Sequence, residues 1–312
     1  EIIDPETFAD MDKMVATMVE LRKGKMTEEQ CRKSLSQANY FGTMLVKMGY
    51  ADSLLGKETE MYEQLYMGTI DMALETIAFQ STTHPELTIE DLPYMFATRE
   101  DGYKALDGGY GDKINEIIAS DGQIRNLGFM ELGYRHMTNN VRPINTPDDM
   151  KGIKFRTTTS DLRLAVFEAL GAQPVSMSFS EVFTGLQQNV INGQENPPTL
   201  IYASGFQEVQ KYLTLDNHVH NFLAVLTNEN WLNSLSADDQ QLVKDCVAEM
   251  VTTQRSMELE DNDSVVAKLQ DAGMEVNELT DEQYQAFVDA VQPMYDEYKQ
   301  QWGTEIFDLA TS

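Results

Sequence analysis

The residue best suited to chemistry in this chain is an arginine that ends a short alternating run. Ile153-Lys154-Phe155-Arg156 alternates apolar and basic side chains, the pattern of a strand with one buried face. Arg156 then falls near the carboxyl end of that strand, where open α/β sheets collect ligands. A guanidinium keeps its charge, and its fork matches a carboxylate with two parallel hydrogen bonds. The plain alternative is a structural ion pair, for instance to Glu195. Further along, Gln194-Glu195-Asn196 reads as a loop pinned by Pro197-Pro198. Asn196 offers donor and acceptor to a carboxylate or hydroxyl, or else caps its own turn. Glu195 would repel an anion unless paired, so it is assigned to holding an arginine, and Gln194 to structure. Phe179 either walls the carbons of a ligand or joins the core.

Other candidates divide less sharply. His218 and His220 stand at i and i+2 of a strand-like run and would point the same way, which invites a metal. No cysteine and no third ligand stands at metal-site spacing, so no metal is expected, and each histidine reads as lining a pocket or the core. Asp71 and Glu75 are four apart. Asp71 reads as a cap or ion-pair partner, and Glu75 as an acceptor for ligand hydroxyls. Arg142 and Arg163 read as solvated surface charges. The 18 methionines read as packing rather than a metal box.

The elements that must position these groups follow from punctuation. Ser160 caps a helix whose apolar stripe is Leu162, Ala165, Val166, Ala169 and Leu170, and Gly171 stops it. Val175 and Met177 mark a second strand. Ser178 and Glu181 form a capping box ahead of Val182, Phe183, Leu186 and Val190, and Asn192-Gly193 ends that helix. Upstream, Met61 and Leu65 give a helix ended by Gly68, residues 69–74 a buried strand, and residues 101–118 a helix broken at Gly108-Gly109. Residues 126–130 make a strand, and residues 134–138 a strand or crossover. Thr146-Pro147-Asp148-Asp149 is a capped turn. Residues 221–227 make a strand, residues 239–270 a long helix ending at Gly273, and residues 274–279 a last strand. Thr280 and Gln283 box a final helix that Pro293 should kink. At the start, Phe8, Met11, Val15, Met18 and Leu21 form a helical stripe ending near Gly24. Thr27 and Gln30 open a second helix, and Gly42 interrupts the region.

Several of these blocks, in order and at consistent spacing, resemble one family. Asp-Met-Lys-Gly-Ile-Lys-Phe-Arg ending at Arg156, Gly-Ala-Gln-Pro-Val, Met-Ser-Phe-Ser-Glu-Val-Phe, Leu-Gln-Gln and Asn-Gly-Gln-Glu-Asn-Pro closely resemble the solute-binding proteins of tripartite ATP-independent periplasmic (TRAP) transporters. Phe206-Gln207-Glu208-Val209-Gln210-Lys211-Tyr212, Asn217-His218, Leu55-Gly56-Lys57-Glu58, Gly68-Thr69-Ile70-Asp71-Met72-Ala73, Leu92-Pro93-Tyr94 and Gly133-Tyr134-Arg135 extend the likeness from about Leu55 to near the C-terminus. The strand with which the family usually begins has no counterpart before Leu55.

The resemblance implies an α/β fold of two lobes around a cleft, joined by connecting strands and a long interlobe helix. Its lobes would be residues 1–133 with 222–261, and 134–221 with 262–312. It implies a small carboxylate paired with Arg156, with Asn196, Phe179, Glu75 and His218 nearby. It also implies a second cleft arginine at Arg135, whose alternative is an interlobe ion pair. No cofactor, metal or catalytic residue is implied. The partners would be a small organic acid and the membrane subunits of a TRAP transporter, reached by ligand-induced closure of a monomer outside the cytoplasm, in the periplasm.

Composition narrows the classes independently. The 312 residues suffice for two domains, and 42 % hydrophobic content excludes a disordered chain. No apolar run approaches the ~20 residues of a membrane span. Fifty-one acidic against 23 basic residues give −28, which argues against nucleic acid and anionic membranes. An anionic ligand is still compatible, because surface charge is screened beyond about 8 Å while a direct arginine–carboxylate contact is not. Cys31 and Cys246 read as two separate thiols. A sugar-acid-processing enzyme with His218 or His220 as base is the rival reading, but no phosphate loop, dinucleotide fingerprint or nucleophile elbow accompanies it. A sensory module of the same fold is a third. Among ligands, Thr157-Thr158-Thr159 beside Arg156 suits a polyhydroxy acid such as a hexuronate, with a C4-dicarboxylate spanning Arg156 and Arg135 as the alternative. Thr76 stands where sialic-acid binders of the family place a glutamate, which weighs against that ligand.

Overall fold

The computed structural model describes residues 10–21, 27–35, 58–82 and 84–311. The chain forms two compact units, residues 1–60 and 61–312. In the first, helices Met11–Leu21 and Glu28–Leu35 bury Met14, Val15, Met18 and Cys31. The expected box at Thr27 is present: Gln30 N donates to Thr27 Oγ1 at 3.2 Å and Thr27 N to Gln30 Oε1 at 2.9 Å. Phe8, Gly24, Gly42 and the block from Leu55 to Lys57 lie outside the described residues.

The second unit is built on one mixed sheet. Its strands are β1 (Met72–Thr76), β2 (Ile124–Asn139), β3 (Lys154–Thr157), β4 (Gln173–Ser176), β5 (Gly193–Asn196), β6 (Tyr212–Asn228) and β7 (Glu275–Glu278). The order is β1-β6-β2-β5-β3-β4, with β7 beside β6. β2 and β6 are long and antiparallel and run through the whole sheet. At one end β6 pairs with β1; at the other, β6 takes β7 and β2 takes β5. The sequence reading split β2 into two pieces, residues 126–130 and 134–138, because bulges interrupt its alternation. Gly133, at φ +110°, sits in one of them. The strand expected at 69–74 is displaced to Met72–Thr76, and Leu74 is exposed rather than buried.

The largest irregularity lies midway. Between the pairs Arg135–Val219 and Met137–Thr214, β2 spends one residue and β6 spends four. The four include Asp216, Asn217 at φ +48°, and His218. Side chains replace the lost ladder: Met137 N donates to Asp216 Oδ1 at 3.2 Å and Asn217 N to His136 Nδ1 at 3.3 Å. His218 lies inside this bulge and His220 beyond it, and the two meet different partners.

β3, β4 and β5 are parallel to one another and joined by helices Asp161–Ala169 and Phe179–Gln187. Ser160 caps the first helix as expected, accepting from Arg163 N. Its buried face is Leu162, Arg163, Val166 and Phe167, whereas Ala169 is exposed. The real stripe is therefore rotated from the expected one toward Arg163 and Phe167. Phe167 stacks on Phe155 of β3, with centroids 4.6 Å apart and planes 16° apart. At the second helix the expected box is partial: Ser178 Oγ donates to Glu181 Oε2 at 2.6 Å without capping a backbone N–H. The chain then turns at Asn189 and enters β5.

β5 corrects the expected loop at Gln194-Glu195-Asn196. It is a fully buried strand between β2 and β3. Three polar residues in a row hide a central strand from any periodicity test, because their side chains satisfy one another instead of meeting water.

Helix Ala237–Asp271, 35 residues and so about 52 Å long, ties the ends of the sheet together. Val247 packs with Met130 and Val225 near β1, while Val265 and Leu269 pack with Leu213 and Ile201 near β7. Helix Asp281–Trp302 has the expected Thr280/Gln283 box and continues on both sides of Pro293, and a short helix, Glu305–Ala310, follows it. No helix among the described residues is long and apolar enough to cross a membrane.

Candidate ligand-binding site

The carboxyl ends of the three parallel strands lie side by side, because Arg156 pairs with Val175 and Phe155 with Gly193. They bring together Arg156 from β3, Met177 and Phe179 just after β4, and Asn196-Pro197 at the end of β5. Helices that follow such strands leave a crevice there, the usual ligand position in this architecture. Arg156 is 2 % exposed. Its Nε donates to Met177 O at 2.9 Å, and its Cζ lies 5.9 Å from the centre of the Phe179 ring. The backbone bond and the cation–π contact together fix the plane of the guanidinium at the strand ends. Phe179 also packs against Phe206, so it belongs to the core of this end as well as flanking Arg156.

Beside this edge lies a buried ionic network centred on Glu195. Arg135, from β2, donates to Glu195 Oε2 through Nε and to Oε1 through NH2 at 3.0 Å. The same NH2 reaches Glu195 O and Asn196 Oδ1, each at 2.8 Å, and NH1 reaches Asn221 Oδ1 at 3.1 Å. Arg163 NH1 donates to both Glu195 oxygens, at 3.2 and 3.1 Å, and its NH2 to Asp91 Oδ1. His218 completes the set, with Nε2 3.1 Å from Glu195 Oε2 and Nδ1 2.8 Å from Asp216 Oδ2. Asn196 Nδ2 donates to Gln194 Oε1 at 2.6 Å, and Gln194 Nε2 to Thr138 Oγ1 at 2.8 Å.

The electrostatics follow from that geometry. Burial alone would raise the Glu195 carboxyl, but Arg135 and Arg163, with the hydrogen bonds from His218 and Arg135, hold it well below the usual carboxylate range. Burial would lower His218; Asp216 and Glu195 outweigh it and raise it above the ordinary imidazole value. Arg163 is raised, since Asp91 and Glu195 overcome its desolvation. Glu90, next to Asp91, is different. It accepts from Asn221 Nδ2 at 2.7 Å, Phe222 N at 2.5 Å and Ala78 N at 3.3 Å. Burial and the neighbouring Asp91 nevertheless push it up to about 8, against the pull of the Phe222 N–H.

The expected residues are thus distributed unevenly. Arg156, Phe179 and Asn196 lie at the carboxyl ends of β3, β4 and β5, with Phe179 beside the Arg156 guanidinium. Arg135 and His218 sit in the Glu195 network, with the Arg135 guanidinium engaged by three side chains. Glu75 is buried on β1, opposite Ala224, with β6, β2 and β5 between its strand and β3. His220 lies elsewhere, bonded to Glu131 Oε1 at 2.8 Å and stacked on Tyr134 at 4.4 Å. Arg163 is not a surface charge but 3 % exposed inside the network. Arg142 is half-buried and donates to Asp149 O and Lys151 O at 2.8 and 3.1 Å. The sequence signal for Arg163 was its place beside Leu162 and one turn before Val166 and Phe167. Asp91, just before Leu92-Pro93, gave no signal. Cys31 and Cys246 are both free thiols.

Residues 40–301 match the model of the family described as bacterial extracellular solute-binding protein, family 7, or DctP. The 2,3-diketo-L-gulonate-binding periplasmic protein YiaO of Escherichia coli K12 is 34 % identical over 82 % of this chain and 77 % of its own. The C4-dicarboxylate-binding periplasmic protein DctP of Rhodobacter capsulatus is 33 % identical over 82 % of this chain and 77 % of its own. Among solved structures, the sugar acid binding protein DctPAm of Advenella mimigardefordensis strain DPN7T, in complex with galactonate, superposes with a TM-score of 0.78. It is 31 % identical and covers 82 % of this chain and 84 % of that one. Blocks of polar residues that single-sequence periodicity misreads, such as the one in β5, are the same blocks that carry the family likeness. This two-lobed α/β chain belongs to the DctP family of bacterial extracellular solute-binding proteins, the solute-binding components of TRAP transporters.

Proposed function

We propose that this protein binds a small sugar acid through a single carboxylate, in the periplasm, and delivers it to TRAP membrane subunits without turning it over. The observation that carries the reading is Arg156, buried and oriented by Met177 O and Phe179 at the joined carboxyl ends of β3, β4 and β5. A carboxylate meeting that guanidinium gains charge-assisted hydrogen bonds in a site shielded from salt. The hydroxyls of Thr157, Thr158 and Thr159 follow it on the same strand end and suit a polyhydroxy chain. Galactonate in DctPAm and 2,3-diketo-L-gulonate in the name of YiaO are acids of this kind.

The choice of one carboxylate over two rests on Arg135. Its NH1, NH2 and Nε are all taken up by Asn221, Asn196 and Glu195, so a dicarboxylate would have to displace the buried Glu195 to claim it. Removing one member of a buried ion pair costs about 3–5 kcal/mol, more than a second carboxylate contact would return.

Thermal unfolding of the purified protein with galactonate, glucuronate and succinate tests both parts. An acid at a hundred times its dissociation constant adds about 2.7 kcal/mol to stability. Galactonate or glucuronate should raise the melting temperature in a concentration-dependent way, and succinate should do so only at far higher concentration. Stabilisation by succinate alone would overturn the sugar-acid reading, and turnover of either sugar acid would overturn the reading as a binder.

A further inference from the structure

We infer that Arg163 is a positioning residue for acid recognition: it is the second counter-charge that keeps Glu195 ionised and quiet beside the ligand's carboxylate. This rests on the reading of Arg156 as the acid anchor. Glu195 and Asn196 are consecutive at the end of β5; by strand pairing Glu195 takes the Phe155 face of the sheet and Asn196 the Arg156 face, and Arg135 NH2 links the two, at 3.0 Å from Glu195 Oε1 and 2.8 Å from Asn196 Oδ1. Glu195 is therefore a buried negative charge one residue from the site's own Asn196, the worst neighbour for an incoming anion.

Two arginines answer it. Arg135 takes both Glu195 oxygens and also Asn196 Oδ1. Arg163 takes both oxygens from the helix side and ties itself to Asp91. Arg135 NH2 bridges Glu195 Oε1 and Asn196 Oδ1, so its hold on Glu195 and its orientation of the Asn196 amide run through one amino group, and Arg163 shares the load on Glu195. Without Arg163, Glu195 and Asp91 would face each other's surroundings with one arginine and one imidazolium between them. The cluster would gain a net negative charge, and Arg135 NH2 would be drawn toward Glu195 and away from Asn196. An anion within about 8 Å would then bind roughly tenfold or more weakly.

The groups that face Glu195 are Arg135 from β2, Arg163 from helix Asp161–Ala169, and His218 from β6 with Asp216 behind it. Asp91 and Glu90 stand beyond Arg163, and Arg156 stands one strand away. His218 is raised above its ordinary 6.5 and Glu90 to about 8, so both favour the protonated form from pH 4.5 to 6.5, while burial raises Asp216 behind His218 in every variant alike. A sugar acid stays ionised there too. In that window a pH-dependent change in affinity that appears only without Arg163 reports Glu195.

The test is calorimetric binding of galactonate to wild type, Arg163→Gln and Arg163→Gln/Glu195→Gln, each checked by circular dichroism and melting. Wild type should bind with a flat profile across the window. Arg163→Gln should bind at least about tenfold more weakly at pH 6.5 and recover as the pH falls and the stranded carboxylates take protons. The double variant should recover affinity at pH 6.5, and it carries one stranded carboxylate fewer if the single variant folds poorly. A purely structural Arg163 would lower the melting temperature yet leave the pH profile flat. Wild-type affinity in Arg163→Gln, or no recovery in the double variant, would overturn the inference. Failure of wild type to bind galactonate or glucuronate at all would instead overturn the functional reading.

Discussion

Gly193→Ala should damage stability and binding together, for a reason fixed by the packing of β5. Gly193 pairs with Asn139 on one side and Phe155 on the other, so both flanks of the strand are closed. A Cβ placed there would lie 2.6 Å from the backbone oxygen of Thr138 and 2.9 Å from two carbons of the Phe155 ring. The ring cannot turn aside cheaply, because it is stacked on Phe167, and the Thr138 oxygen belongs to the ladder itself. Relief has to come from moving β5. Overpacking of this kind costs about 1–3 kcal/mol, which for a chain of this size lowers the melting temperature by roughly 2–6 °C. The displaced strand carries Glu195 and Asn196 two and three residues on, so galactonate should also bind at least about tenfold more weakly, since small misplacements of positioned polar groups are expensive. Differential scanning calorimetry and titration calorimetry on the same preparation read both effects. An unchanged melting temperature would mean that β5 is not wedged between Thr138 and Phe155. A lower melting temperature with unchanged affinity would mean that Glu195 and Asn196 do not position the ligand.

Two further outcomes follow from the buried groups. Phe167→Ala removes a fully buried ring that stacks on Phe155 and meets His218 edge-on at 5.7 Å, and should cost about 3–5 kcal/mol in urea unfolding. Glu90, raised to about 8 in the fold, gives stability that is complete below its unfolded value near 4.5 and is lost as the pH rises toward 8. Glu90→Gln keeps the shape without the titration, so melting temperatures of wild type and variant, measured from pH 5 to 8, should diverge with wild type falling faster. Parallel curves would refute the buried, protonated Glu90.

Much of this was legible before any coordinates, and the failures have physical causes. Arg156 at a strand end, Ser160 as a cap, the Thr280 box and the long helix all came from local chemistry that tertiary structure did not override. β5 was missed because Gln194, Glu195 and Asn196 are satisfied by Arg135, Arg163 and Thr138, which lie 32 to 61 residues away in sequence. A strand made soluble to the core by distant partners has no periodicity to read. Arg163 was misread because a charge on an amphipathic helix is solvated by default; only the rotation of the buried stripe toward Phe167 argues otherwise, and its partners Asp91 and Glu195 come from separate elements. The histidines do not form a pair: His218, in the four-residue bulge before Val219, bonds Asp216 and Glu195, while His220, beyond it, bonds Glu131.

The most direct measurement is titration calorimetry of galactonate and glucuronate against wild type and Arg156→Ala, with circular dichroism to show that both are folded. A buried Arg156 that anchors the carboxylate predicts clear binding by wild type to at least one of the two acids and a loss of at least about a hundredfold in the variant, the scale set by a charge-assisted contact of about 3 kcal/mol. Equal affinity in wild type and a folded Arg156→Ala would contradict it.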